Sequence, residues 1–134
     1  MTRRWALEAG FSEEDSETIA AANWNVDTVH NVRVWSNKGY HFAWLGANRR
    51  ARRLFAEALE HGDLRALGEA LHCSQDAIGH GFWGHIVHWE GIDRWDQRGE
   101  RVRGRIESRS RALLANYRER RPLRVLSPAA DTIE

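Results

Sequence analysis

His72, Asp76 and His80 recur at steps of four within Leu64 to Glu90 (LRALGEALHCSQDAIGHGFWGHIVHWE), a stretch that also holds His85, His88 and Glu90. On an α-helix, residues four apart share a face, so these side chains form a row of metal ligands. Neighbouring members lie roughly 6 Å apart along the axis and the outer two roughly 12 Å. Zinc bonds to His and Asp are roughly 2 Å, so one ion can be shared by adjacent members but not by His72 and His80. The spacing therefore asks for more than one metal, with Asp76 able to serve both sides. Histidines at this spacing can also be core or surface residues. Three ligand types in one row, beside glycines and further histidines, favour metal. His30 and His61 read as surface residues, and Cys73, about 100° around the helix from His72, as a buried thiol. No Ser-His-Asp or Cys-His signature competes.

The elements that must position this row read as helices. Thr2 to Ala9 makes a turn or two closed by Gly10. Ser12 then caps a second helix that has Glu13, Glu14 and Asp15 in its first turn and runs toward Asn23. From Trp24 to Gly39 the period is lost and the stretch reads as an irregular loop with at most one turn of helix, which places Asp27 and His30 in a segment of the kind that often supplies ligands. A long helix from His41 or Asn48 to His61 carries Trp44, Leu45, Ala51, Leu54, Phe55, Ala58 and Leu59 on its apolar face, with Arg49, Arg50, Arg52 and Arg53 as its solvated face. Gly62 stops it and Asp63 caps the next helix. There Leu64, Leu67, Ala70, Leu71 and Ile78 form the core stripe beside the ligand row. Gly79, Gly81 and Gly84 then bend the chain back around the metals. Trp83 to Trp95 is helical in part. Glu100 to Arg120 is the last helix, with Val102, Ile106, Leu113, Leu114 and Tyr117 at helical spacing and Pro122 ending it. The expectation is an all-α, compact bundle of about five helices, with 63–79 central and 100–120 packed across it. Residues 1–124 form one metal-binding domain and 125–134 a C-terminal tail.

With 134 residues there is room for one domain and one core. The formal net charge is +1, but residues 1–97 carry 10 basic and 14 acidic groups, whereas 98–124 carry ten arginines and three glutamates. Arginine suits bidentate pairing with carboxylates or phosphates, although the same bias is common in GC-rich bacterial coding. The single cysteine excludes an internal disulfide framework. No apolar run has the length of a membrane span, and the N-terminus lacks the apolar centre of a secretory signal, so a soluble, cytoplasmic protein is expected. The seven tryptophans read as core and cleft wall, with Trp44, Trp83 and Trp89 placed to line an apolar substrate pocket.

The run Phe55 to Asp63 (FAEALEHGD), followed by Leu67 to Asp76 (LGEALHCSQD), resembles the zinc-dependent phospholipase C family, which is related in fold to single-strand-specific zinc nucleases. Members of that family are all-α and hold three zinc ions in a cleft. Their pattern is a helix ending in Gly-Asp, then Leu-Gly-x-x-Leu-His-x-x-x-Asp, preceded by a His-Phe motif and an upstream Asp. His41-Phe42 matches the motif, and Asp27 lies at a fitting distance before it. The resemblance, over about residues 20–90, implies Asp27, His41, His72 and Asp76 as ligands of one zinc, with Asp76 bridging toward a second. His80 would hold another ion with partners from among His85, His88 and Glu90. The family's final His-x-x-x-Glu spacing is absent, so which of that trio serve is left open. The family also completes one site with an N-terminal tryptophan and a nearby histidine. No histidine precedes Asp27 here, and Trp5 is not equivalent, because its backbone amine is tied in a peptide bond. One to three zinc ions are therefore implied, in a divergent and truncated relative.

Zinc lowers the pKa of bound water to about 7, and adjacent ions can polarise a phosphoryl oxygen. The leading expectation is a metal-dependent phosphoester hydrolase with metal-bound water as nucleophile and Asp27 or Asp76 as the catalytic carboxylate orienting it. The alternative is a small accessory or biosynthetic protein that reuses the scaffold to bind or transform a non-phosphate substrate such as a peptide or natural product. A third class, nucleic-acid binding through the arginine-rich last helix, is disfavoured. The charges there largely flank the apolar seam and suit a solvated face or an acidic partner better. Substrate and oligomeric state are not encoded in any motif.

Overall fold

The computed structural model describes residues 1–29, 44–79 and 99–121. They form five helices: α1 (Thr2–Glu8), α2 (Glu13–Val29), α3 (Trp44–His61), α4 (Leu64–Gly79) and α5 (Glu100–Arg120). No strand occurs among the described residues, and no helix among them is long and apolar enough to cross a membrane. His41, His80, His85, His88 and Glu90 lie outside the described residues, as do the glycine-rich bend at 81–84, the aromatic segment at 83–95 and the 125–134 tail.

α4 is the axis of the bundle. Ala66, Leu67, Gly68, Ala70, Leu71, His72, Cys73 and Ser74 are all buried, a run that wraps the whole helix circumference rather than one stripe. Such a helix needs neighbours on every side. It packs against α2, α3 and α5, while α1 closes one end against α2 and α5. Trp5, Phe11, Ile19, Leu67, Leu71, Ile106, Leu114 and Tyr117 fill the main core. A second cluster of Val26, Ala51, Leu54, Ala70 and Cys73 joins α2, α3 and α4, with Phe55 packed against both clusters.

Local chemistry sets the helix ends. Ser12 Oγ accepts the Asp15 N–H at 3.1 Å, the expected cap of α2. Asp63 Oδ1 accepts the N–H groups of Arg65 at 2.8 Å and Ala66 at 3.2 Å, capping α4. Gly62 takes φ of 72°, the left-handed conformation that ends α3. Arg121 reaches back from the end of α5 and donates to the Leu59 and Glu60 carbonyls at 2.6 Å each, satisfying orphan acceptors of the last turn of α3.

One expectation is corrected. α2 does not end near Asn23 but continues to Val29, so Asp27 stands on a helix and not in a loop. Ser16, Ile19, Asn23 and Val26 continue one helical stripe, in which Ser16 and Asn23 are polar. Val26 is buried against α3 and α4, and that tertiary burial carries the helix through the polar residues 23–27. Trp24 also departs from the core-and-wall reading, at 69% exposure on the outer side of α2.

At Gly68, α2 and α4 approach too closely to leave room for a side chain. A Cβ at this position would press on the Ile19 carbonyl oxygen, and would lie 2.7 Å from Ala22 Cβ and 3.1 Å from Asn23 N. Gly68→Ala gains about 1 kcal/mol of helix propensity. Backbone atoms cannot swing aside, however, and overpacking of this kind costs about 1–3 kcal/mol. A net loss of stability in urea denaturation is expected. A variant as stable as the parent would show that α2 can withdraw from α4 without penalty.

Candidate metal centre

Two helices bring three of the candidate ligands together. His72 and Asp76 are one turn apart on α4, and the imidazole Nε2 lies 3.3 Å from Asp76 Oδ2. Asp27 approaches from α2, with Oδ1 3.5 Å from the same nitrogen. The His72 side chain is 7% exposed, Asp76 17% and Asp27 51%, so the cluster runs from the interior outward to solvent. Burial alone would pull the imidazole pKa down. The Asp76 hydrogen bond, the charges of Asp76 and Asp27 and a hydrogen bond to the Asn23 backbone outweigh it, and the pKa is raised above the ordinary 6.5.

That shift has a consequence for the protein without metal. A histidine whose folded pKa exceeds its unfolded value contributes stability that is fully present below pH 6.5 and is lost as pH rises through the folded pKa. The chelated protein is therefore expected to unfold at lower denaturant above that pKa than at pH 6, and the His72→Gln variant should lose this dependence. An identical pH profile for the two proteins would mean that His72 is not the proton's site.

The group can also be tested against a metal. Bonds of about 2 Å around a tetrahedral zinc hold neighbouring ligand atoms roughly 3.3 Å apart. The 3.3 and 3.5 Å separations are of that size, and imidazole and carboxylate are zinc donors. The cluster thus fits zinc in donor type and in two of its pairwise spacings. Among the described residues, no group of three or more His, Cys, Asp or Glu is arranged to hold a metal ion by itself. Further ligands would come from outside those residues, where His41 and His80 lie. Cys73 is fully buried, and burial followed by the Asp76 charge pushes its thiol up to about 12, so it stays protonated and is a core residue.

Residue types alone did not mark two amides beside the ligands. Asn23 Nδ2 donates to Gln75 Oε1 at 3.1 Å and to the Gly68 carbonyl at 3.4 Å, one turn before Asp27 on α2. The available signal was Asn23 standing four residues before Asp27 and between the apolar Ile19 and Val26 of the same stripe. Arg49, Arg52 and Arg53 are exposed, as a solvated face requires, and so is His61, whereas Arg50 is half-buried.

No protein-family model, curated protein or solved structure matches the chain.

Proposed function

We propose that the chain is a metal-dependent hydrolase of a phosphoester, with zinc held in part by Asp27, His72 and Asp76. The observation that supports this reading is the convergence of two carboxylates from two helices on one buried imidazole nitrogen. When bound, zinc supplies Lewis acidity toward a phosphoryl oxygen and makes hydroxide accessible near neutral pH. The protein's own part is positional. His72, fixed by the Asn23 backbone and by burial, presents a single nitrogen. Asp76, the more enclosed carboxylate, contributes charge in a medium where charge is poorly screened. Asp27, half exposed at the solvent edge, would accept a hydrogen bond from an attacking water and orient it. The phospholipase C resemblance assigns His41 and His80, with members of the trio His85, His88 and Glu90, to complete the site.

A second reading has its own support. His72 is already hydrogen bonded and ion paired within the described residues, which by themselves provide no three-ligand group. That favours an accessory or biosynthetic protein that reuses the scaffold toward a peptide or natural product. Metal analysis of protein purified without chelator, followed by assay against nitrophenyl phosphate mono- and diesters, separates the two. Bound zinc with hydrolysis is the expected result. Bound zinc with no hydrolysis of either ester passes the lead to the scaffold reading. A chain that binds no zinc and melts identically with and without it rules out the metal site itself.

A further inference from the structure

Thr2, Asn23, Gln75 and Ser110 form a side-chain hydrogen-bond chain that crosses four helices. Thr2 Oγ1 on α1 donates to Asn23 Oδ1 on α2 at 3.3 Å, and Asn23 Nδ2 donates to Gln75 Oε1 on α4 at 3.1 Å. Gln75 Nε2 then donates to Ser110 Oγ on α5 at 3.1 Å, and Ser110 Oγ donates to the Ile106 carbonyl at 2.8 Å. Thr2 and Ser110 are buried. Asn has poor helix propensity, so its place in the contact stripe of α2 runs against local preference. Departures of this kind from local consistency concentrate at functional sites.

We infer that this chain is the positioning element of the Asp27–His72–Asp76 cluster and that Asn23 is its central residue. The inference rests on the metal reading proposed above. Asn23 acts on both sides of the cluster. Its side chain grips α4 at Gly68 and Gln75, two turns apart, and its backbone carbonyl holds the His72 ring. Asp27 follows one turn later on the same face of α2, while Gln75 immediately precedes Asp76. Around Gly68 itself the α2–α4 contact is made by the Ile19 carbonyl, Ala22 and the Asn23 backbone, with the apolar packing of Ile19 and Val26 on either side, so the Asn23 amide is the directional polar group in this part of the contact. Directional bonds from Asn23 set the register. A site of this type must be held to within about 0.5 Å to keep its geometry. Asn23 and Gln75 touch no reacting group, so they are positioning residues.

The test compares Gln75→Leu, which keeps volume and removes both bonds, and Asn23→Ala with Phe11→Leu, a core change at the Phe11–Tyr117 contact. Zinc affinity is read by chelator competition, and the visible absorption of cobalt-substituted protein reports ligand geometry. Each variant is measured where circular dichroism shows it folded. The zinc dissociation constant is expected to rise about 10-fold in both amide variants, the lower end of the range for losing a group bonded directly to a ligand, because these side chains act through helix register and not on a ligand, with an altered cobalt spectrum. Phe11→Leu, outside the chain, should stay within about two-fold of the parent. Folded amide variants with parental zinc affinity and cobalt spectrum overturn the inference. If the parent binds neither zinc nor cobalt, the metal reading fails, and positioning is judged from the His72 ring-nitrogen NMR resonances of the metal-free protein. Shifts in Gln75→Leu and Asn23→Ala but not in Phe11→Leu then uphold it, and unchanged resonances overturn it.

Discussion

Asp76→Asn is expected, under the proposed metal-hydrolase function, to abolish phosphoester hydrolysis and to weaken zinc binding by more than the roughly 10–100-fold typical of an outer-shell partner. The substitution preserves volume and removes one negative charge 3.3 Å from His72 Nε2. Two losses coincide at that position. On the proposed reading a metal ligand becomes a neutral amide, and His72 exchanges the carboxylate that most strongly favours its charged form for a neutral acceptor. Under the bridging role implied by the four-residue ligand row, Asp76→Asn should also release more metal than His80→Ala, which affects one ion only. Because ligands from separate segments join metal binding to folding, chelation should lower the melting temperature of the parent but barely change that of the variant. Parental metal content in purified Asp76→Asn would remove Asp76 from the ligand set.

Leu71→Ala, next to His72 on α4, has the largest expected effect on stability. Leu71 has no exposed surface and sits within the main core. Truncating such a leucine costs about 2–5 kcal/mol through lost transfer energy and the cavity left behind. Native domains have only about 5–15 kcal/mol in total. The chemical-denaturation midpoint should fall accordingly, with an unchanged slope. The folded variant should keep its zinc affinity, since Leu71 belongs to the apolar core and not to the carboxylate cluster. Leu71→Ala and Asp76→Asn should therefore separate stability from metal binding at two positions only five residues apart. A stability change below about 0.5 kcal/mol, the range of ordinary surface substitutions, would show that Leu71 does not belong to the core face of α4.

The all-helical class, the central place of α4 and the caps at Ser12 and Asp63 were readable from the sequence because each rests on local periodicity or on a side chain within three residues of its partner. The pairing of His72 with Asp76 was readable for the same reason, since a four-residue step on a helix is a distance. Asp27 was a different case. Its place in the chain sits among Asn, Trp and Asp residues that weaken any helical pattern, and only the burial of Val26 and the grip of Asn23 on Gly68 and Gln75 extend α2 far enough to carry it. Likewise, nothing local distinguishes Gly68 from a glycine tolerated in a helix. Its role appears only where the Ile19 carbonyl and Ala22 of another helix fill the space a side chain would need. Local steps along the helices determined which residues could share a face. Only packing between α2 and α4 decided that Asp27 meets His72, because a contact across 45 residues depends on helix register, which no local spacing encodes.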